Sequence, residues 1–319
     1  MKLTDFAFIF VIFEILLFSI LDIRLKGLEA VTEKSNAYNT AIDNAVDDGC
    51  YFLVEEDSSR VLHTNKEKAV NQFFTSLYAN FGVIGESALE EQLRRYVPII
   101  LITGRDGFYI NYSEVIEKNG EKILKRRWSE KIPYVYEDEK VICCFTLDNY
   151  IRLIDKQSNT VIEGDYKDIK DSIASPFLKE DELFDETRRN TVINEIMKNM
   201  AIYINSYNDI AGQFGITYKF WLPSIDRTDW DRTIDDISLF VIFQGYPYQT
   251  GTLDTYNRYA YGGARISKSR TYFITEDDGK KYYHKNNCTV LTNEVLSEPY
   301  YSREECAKDH AFPCSKCVQ

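Results

Sequence analysis

The run "FAFIFVIFEILLFSIL", residues 6–21, restricts what this chain can fold into more than any other stretch. It carries one charge, Glu14, and no polar face, so as a helix it needs apolar surroundings on every side. At the helical rise the run reaches about 24 Å, or about 27 Å if it continues to Ile23 across Asp22, which suits a short membrane span. A buried core helix and a cleaved signal peptide are the alternatives. The second is weakened by a basic region reduced to Lys2 and by the lack of a small-x-small cleavage pattern. Lys2 on one side faces Arg24, Lys26 and Lys34 on the other, so the basic residues do not orient a span.

The pattern then changes. In "RLKGLEAVTEKSNAYNTAIDNAVDDG", Leu28, Val31, Ser35, Tyr38, Ile42 and Ala45 recur at three- and four-residue steps, the signature of one helical stripe. Gly49 is a natural stop. The spacing predicts one helix of about 45 residues, roughly 65–70 Å long, greasy in its first half and amphipathic in its second. An apolar half with a single glutamate, followed by "LDIRLKGLEAV…AIDNAVDDG", resembles the pseudopilins of tight-adherence pili and related type IV pilin-like proteins. The resemblance covers residues 1–50 and lacks a glycine-ended prepilin cleavage site. It implies a helix held in a membrane that then packs in a filament, with Glu14 meeting the N-terminal amine of a neighbour. An ionisable group in an apolar setting needs a partner or a proton in any case.

The net charge of −12 over 319 residues argues against general nucleic-acid binding, which needs a basic face. The one dense basic run, "KILKRRW" at 122–128, reads as a solvated strand face. Residues 50–270 read as a mixed α and β domain. "NKEKAVNQFFTSLYANFG" and "SALEEQLRRYV" are helical. "PIILITG", "GFYINYSEVI", "KILKRRW", "VYEDEKVICCFTL" and "KSRTYFIT" are strands of an antiparallel meander. A second long helix spans Glu182 to Phe214, with Ile193, Met197, Met200, Ile204, Tyr207 and Ala211 on its core face, and Gly215 ends it. "ITYKFWLP" and "ISLFVIFQGYP" read as strands flanking the acidic "DRTDWDRTIDD". Asp226, Asp229, Asp231, Asp235 and Asp236 lack calcium-loop spacing and read as a solvated surface, although a hydrolase could draw on them. "YGGARISK" reads as a tight turn and His63 as a surface residue. Adjacent Cys143 and Cys144 sit in a strand, pointing to opposite faces.

The tail carries the most specific pattern. His284 and Cys288 stand four apart in "YYHKNNC", and Cys314 and Cys317 three apart in "PCSKC". Thiolates and an imidazole suit a tetrahedral metal ion, and two cysteines of C-x-x-C reach one ion from a tight turn. "TYFIT" and "KYYHK" form a hairpin across "DDGK", and "SREECAKDH" a short helix entered at Ser302. Tyr283-His284 to Cys288, Ser302 to Glu305, and Pro313-Cys314 to Cys317 resemble a small zinc-binding module related to the N-terminal zinc domain of the DNA-repair methyltransferase Ada. Cys306 and His310 depart from its pattern. The resemblance implies structural zinc on His284, Cys288, Cys314 and Cys317. Two disulfides among Cys288, Cys306, Cys314 and Cys317 are the alternative, and inert thiols a third.

The expectation is thus an α+β protein in three parts. Residues 1–49 form a transmembrane, pilin-like helix; residues 50–270 a mixed extracytoplasmic domain with an antiparallel sheet and a second long helix; residues 271–319 a zinc-ribbon-like tail. The function expected is that of a single-pass, membrane-anchored, pilin-like envelope protein of the cell surface. It would contact membrane lipid and other pilin-like proteins, or itself, through the N-terminal helix, and bind no nucleic acid. An extracellular sensor or small-ligand module and an unrecognised hydrolase are the alternatives.

Overall fold

The computed structural model describes residues 3–56, 62–118, 120–248, 254–263, 272–277, 279–285, 288, 290–291, 300 and 303–317. The chain divides into two compact units, Met1–Ala264 and Arg265–Gln319.

The first unit opens with α1 (Leu3–Tyr51), then β1 (Val54–Glu56), β2 (Leu62–Thr64), α2 (Lys66–Asn80) and α3 (Ser87–Arg94). Asn65 caps α2, its side chain accepting from the Lys68 N–H at 3.0 Å. Strands β3 (Ile99–Gly104), β4 (Gly107–Lys118) and β5 (Glu121–Trp128) follow. Then come β6 (Tyr134–Glu137), β7 (Val141–Phe145), β8 (Tyr150–Asp155) and β9 (Val161–Asp165), a short α4 (Tyr166–Ile169), and α5 (Asp181–Ala211). Last are α6 (Arg227–Ile234), β10 (Ser238–Pro247) and β11 (Thr255–Gly263). The strands make a five-stranded sheet in the order β11-β10-β3-β4-β5 and a separate meander β6-β7-β8-β9, all paired antiparallel.

Period-two alternation divides the core. Ile100, Ile102, Leu239, Val241 and Phe243 turn to one face of the large sheet and pack with Ile42, Ala45 and Val46 of α1 and Phe73 and Leu77 of α2. Ile99, Leu101, Phe240 and Ile242 turn to the other face, packing with α5, α6 and the meander. The α5 face is as the sequence predicts: Ile193, Met200, Ile204, Tyr207 and Ala211 are buried and Met197 packs partly. Gly215 ends that stretch at φ 76° after a turn of 3-10 helix.

Several expectations are corrected. Among the described residues no helix is long and apolar enough to cross a membrane, so the transmembrane, single-pass assignment and the membrane and extracytoplasmic localisation built on it fall. Within α1 the apolar run from Phe6 to Leu21 is broken by Glu14 and closed by Asp22, and its length of about 24 Å falls short of a hydrocarbon core of about 30 Å. Gly49 does not stop α1, which runs to Tyr51. It serves close packing instead: a Cβ there would lie 2.7 Å from Leu239 Cδ2 and 3.1 Å from the Ala69 carbonyl. "VYEDEKVICCFTL" is a hairpin, because Asp138 Oδ1 accepts from the N–H groups of Lys140 and Val141 and turns the chain between β6 and β7. "ITYKFWLP" joins no sheet. The Asn208 side chain of α5 donates to the Phe220 carbonyl at 2.9 Å and accepts from its N–H at 2.8 Å, standing in for a ladder partner.

In the second unit, β12 (Tyr272–Asp277) and β13 (Lys280–Lys285) form the expected hairpin, with Gly279 at φ 71°. A short β14 (Phe312–Pro313) pairs parallel to β13, and α7 (Arg303–Lys308) packs on the sheet. This mixed three-stranded topology takes the place of the zinc-ribbon-like description. Its core is small, with Tyr272, Ile274, Tyr283, Cys306 and Ala311 buried.

Candidate metal centre

His284 sits on β13 opposite Phe273 of β12, and Cys288 follows just beyond the strand. Cys314 follows β14 directly, fixed by its N–H to the Tyr283 carbonyl at 3.1 Å, and Cys317 closes the ensuing turn. The parallel pairing of Tyr282 with Phe312 and Tyr283 with Pro313 therefore brings the two halves of the motif together. The ligating atoms of His284, Cys288, Cys314 and Cys317 all lie within 4.8 Å of one another, the first three residues buried and the last half-buried. This cluster can hold a metal ion.

The chemistry of the donors agrees. His284 Nδ1 lies 3.4 Å from Cys288 Sγ, and its Nε2 lies 2.8 Å from Thr275 Oγ1. With Nε2–H donated to Thr275, the Nδ1 lone pair is left to the cluster, the arrangement that orients ligating histidines. Burial lowers the His284 pKa and favours the neutral imidazole that metals require. Burial also pushes the Cys314 thiol up, but N–H groups of Lys316 and Cys317 and the thiols of Cys317 and Cys288 outweigh it and hold Cys314 below the ordinary thiol value. Four protein donors would fill a tetrahedron and leave no open position for a reacting molecule.

Thr275 is the residue that sequence reasoning missed. It pairs with Tyr282, two residues from His284 on the same face of the hairpin. Reading the register outward from "DDGK" would have found it.

No disulfide joins any of the seven cysteines in this structure. Cys306 lies in the hydrophobic core of the tail, fully buried. His310 adopts φ 59° just after α7, a left-handed position that glycine takes at least cost. Ser302, the expected helix entry, and the side chain of His63 lie outside the described residues, as does the end of "YGGARISK". Glu14 is half-exposed on α1.

The carboxylates of the acidic segment are held by tyrosine, arginine and backbone partners. Asp229 accepts from the hydroxyls of Tyr259 at 2.8 Å and Tyr261 at 2.7 Å. Asp231 and Asp235 pair with Arg189, and Asp236 accepts from the Ile237 N–H. Asp226 stands at the N-cap of α6. Beside Asp229 a cleft of about 710 Å³ opens along β11, lined by Asp43, Trp221, Arg232, Gln244, Asn257 and Tyr261 among others.

Comparison with protein-family models, curated proteins and solved structures finds no match to this chain.

Proposed function

We propose that this chain is a pilin-like assembly protein, in which the apolar half of α1 packs against the same helix of further copies. The observation that carries the reading is the division of α1. Ala41, Ile42, Ala45, Val46 and Cys50 are buried against the body of the first unit. From Phe8 to Leu28, every large apolar side chain described is between 45% and 71% exposed. Monomeric proteins rarely present so long an apolar surface, and a second copy carrying the same helix offers matching cover. Glu14, the one charged residue from Phe6 to Leu21, would pair there with the N-terminal amine of the neighbour, as the pilin resemblance implies. The tail would be stapled by zinc on His284, Cys288, Cys314 and Cys317, whose thiolates and imidazole are the donor set zinc prefers.

Sedimentation velocity on the full chain and on a chain lacking residues 3–26 tests the reading. The full chain should form concentration-dependent oligomers and the truncated chain should not. A full chain that stays monomeric at high concentration, or a truncated chain that associates equally, would sink it.

A second reading, capture of a small ligand, is favoured by the cleft along β11, where half-exposed Trp221 faces the polar side chains of Gln244 and Asn257. A molecule co-purifying with the protein and displaced by Trp221→Ala would support it; protein that is ligand-free by native mass spectrometry would not.

A further inference from the structure

A second cleft, of about 520 Å³, lies where the side chains of Phe74, Arg94, Asn111, Lys125, Arg126 and Trp128 meet. It gathers the end of the basic run in a chain whose net charge is −12. The run is not the uniformly solvated face that its composition suggests. Lys125 and Arg127 are exposed, but Arg126 turns inward. Its Nε donates to Asn111 Oδ1, its Nη1 to the Val97 carbonyl at 2.8 Å, and its Nη2 to the Asn111 carbonyl at 3.1 Å. A guanidinium has five N–H donors, so two remain.

Arg94 comes from the other wall. Its Nε donates to the Tyr78 hydroxyl at 2.8 Å, leaving both terminal nitrogens. The two guanidinium carbons stand 4.8 Å and 5.2 Å from the centre of the same Phe74 ring. Among the described residues neither arginine has a carboxylate at ion-pair distance, and neither does Lys125. Arg127 by contrast is paired with Glu114. Burial draws Arg126 down to about 10 and Arg94 adds to the fall, while Tyr207, Tyr78 and the Glu91 carboxylate oppose it, and Arg126 remains charged at neutral pH. Holding like charges together in a partly dry site is costly unless an anion compensates them. The Trp128 indole N–H is a further donor on this wall, buried without an acceptor.

We infer that this cleft binds a small phosphate ester. The oxyanion would lie between Arg94 and Arg126, with Lys125 at the rim, and the organic part against Phe74 and Trp128. Guanidinium forks match the oxygens of phosphate, and Arg94, Lys125 and Arg126 outnumber the carboxylates of Glu67, on the lining, and Glu91, which acts on Arg126 from beside it. The cleft is several times the volume of a phosphate group, and Phe74, Trp128 and Val70 stand on its remaining wall among polar side chains, so an attached planar or apolar group adds contact area. This inference stands apart from the assembly reading, since none of its residues lies on α1.

Calorimetric titration of the full chain at low ionic strength, with phenyl phosphate, inorganic phosphate and phenol as probes, tests it. Phenyl phosphate should bind more tightly than inorganic phosphate, phenol should not bind, and the Trp128 indole N–H resonance should shift on titration. Arg94→Gln, at a partly exposed position, should fold normally by circular dichroism and weaken phenyl phosphate binding roughly 10- to 100-fold. Arg126→Lys keeps the charge but loses the fork, and should weaken it comparably. Absence of binding, unchanged affinity in a folded Arg94→Gln protein, equal binding of phenol, or inorganic phosphate binding as well as phenyl phosphate would each overturn the inference.

Discussion

Two substitutions on one helix should have opposite consequences. Ile42 is fully buried against the large sheet and α2, whereas Phe13 and Leu17, on one helical face, are 63% and 46% exposed. Ile42→Ala removes buried carbon and leaves a cavity between α1 and the sheet, which should cost about 2–5 kcal/mol. For a unit of this size, a loss near 3 kcal/mol lowers the melting temperature by about 6–12 °C. Phe13→Ala with Leu17→Ala removes side chains whose burial within the monomer is incomplete, so monomer stability should change by no more than about 0.5 kcal/mol per site. Their unrealised burial, roughly 1 kcal/mol each, becomes available only when another surface covers them. The double variant should therefore weaken association by roughly 30-fold per helix. Calorimetric melting at a concentration below association measures the first effect, and sedimentation velocity the second. If the double variant lowers monomer melting as much as Ile42→Ala does, or associates as the parent chain does, the division of α1 into a packed half and an assembling half is refuted.

Removal of metal by a chelator, or Cys314→Ser, should abolish amide protection in β12 and β13 while leaving the large sheet protected. The tail has few buried apolar residues, and a structural metal supplies about 10–16 kcal/mol in comparable small sites; hydrogen exchange reads this directly. Thr275→Val should keep the fold but lower metal affinity by about 10- to 100-fold, measured by chelator competition, because Nε2 of His284 loses its partner. Gly245→Ala should destabilise the first unit by about 2–4 kcal/mol in denaturant melts, since φ is 82° there and a Cβ would fall 2.4 Å from the Tyr218 ring. The hydroxyls of Tyr261 and Tyr259 hold the Asp229 carboxyl below its ordinary value. Its contribution is thus complete above the unfolded value of about 3.9 and is lost as pH falls through the lower folded value. The stability lead of the parent chain over Asp229→Asn should shrink across that window in acid melts.

What the sequence disclosed follows the range of the interactions involved. Helix faces are set by residues three and four apart, so the stripe through Tyr38, Ile42 and Ala45 and the core face of α5 were legible, with α5 placed almost to the residue. Strand pairing is set by partners far along the chain. Strands β8, β9 and β11 carry Arg, Asp, Glu and Asn among their apolar residues and went unrecognised, whereas "ITYKFWLP" has the composition of a strand and forms none. Nothing local to Phe220 announces that Asn208 will occupy both of its backbone groups.

The same distinction separates the two candidate sites. His284, Cys288, Cys314 and Cys317 were identifiable because their chemistry is rare and their spacing is short within each pair; the fold had only to bring two pairs together through β13 and β14. Arginine is common, and "KILKRRW" alone cannot distinguish a guanidinium facing water from one held beneath a strand. Arg126 differs from its neighbour Arg127 by one step of the pleat, which turns one toward Asn111 and Phe74 and leaves the other to pair with Glu114. That single step places Arg126 beside Arg94, thirty-two positions earlier in the sequence. A basic run is therefore informative about binding only after the alternation of the strand has been assigned and the inward-facing cations have been checked for carboxylate partners. By that criterion Arg126 and Arg94 have no carboxylate at ion-pair distance among the described residues, and Arg127 has Glu114.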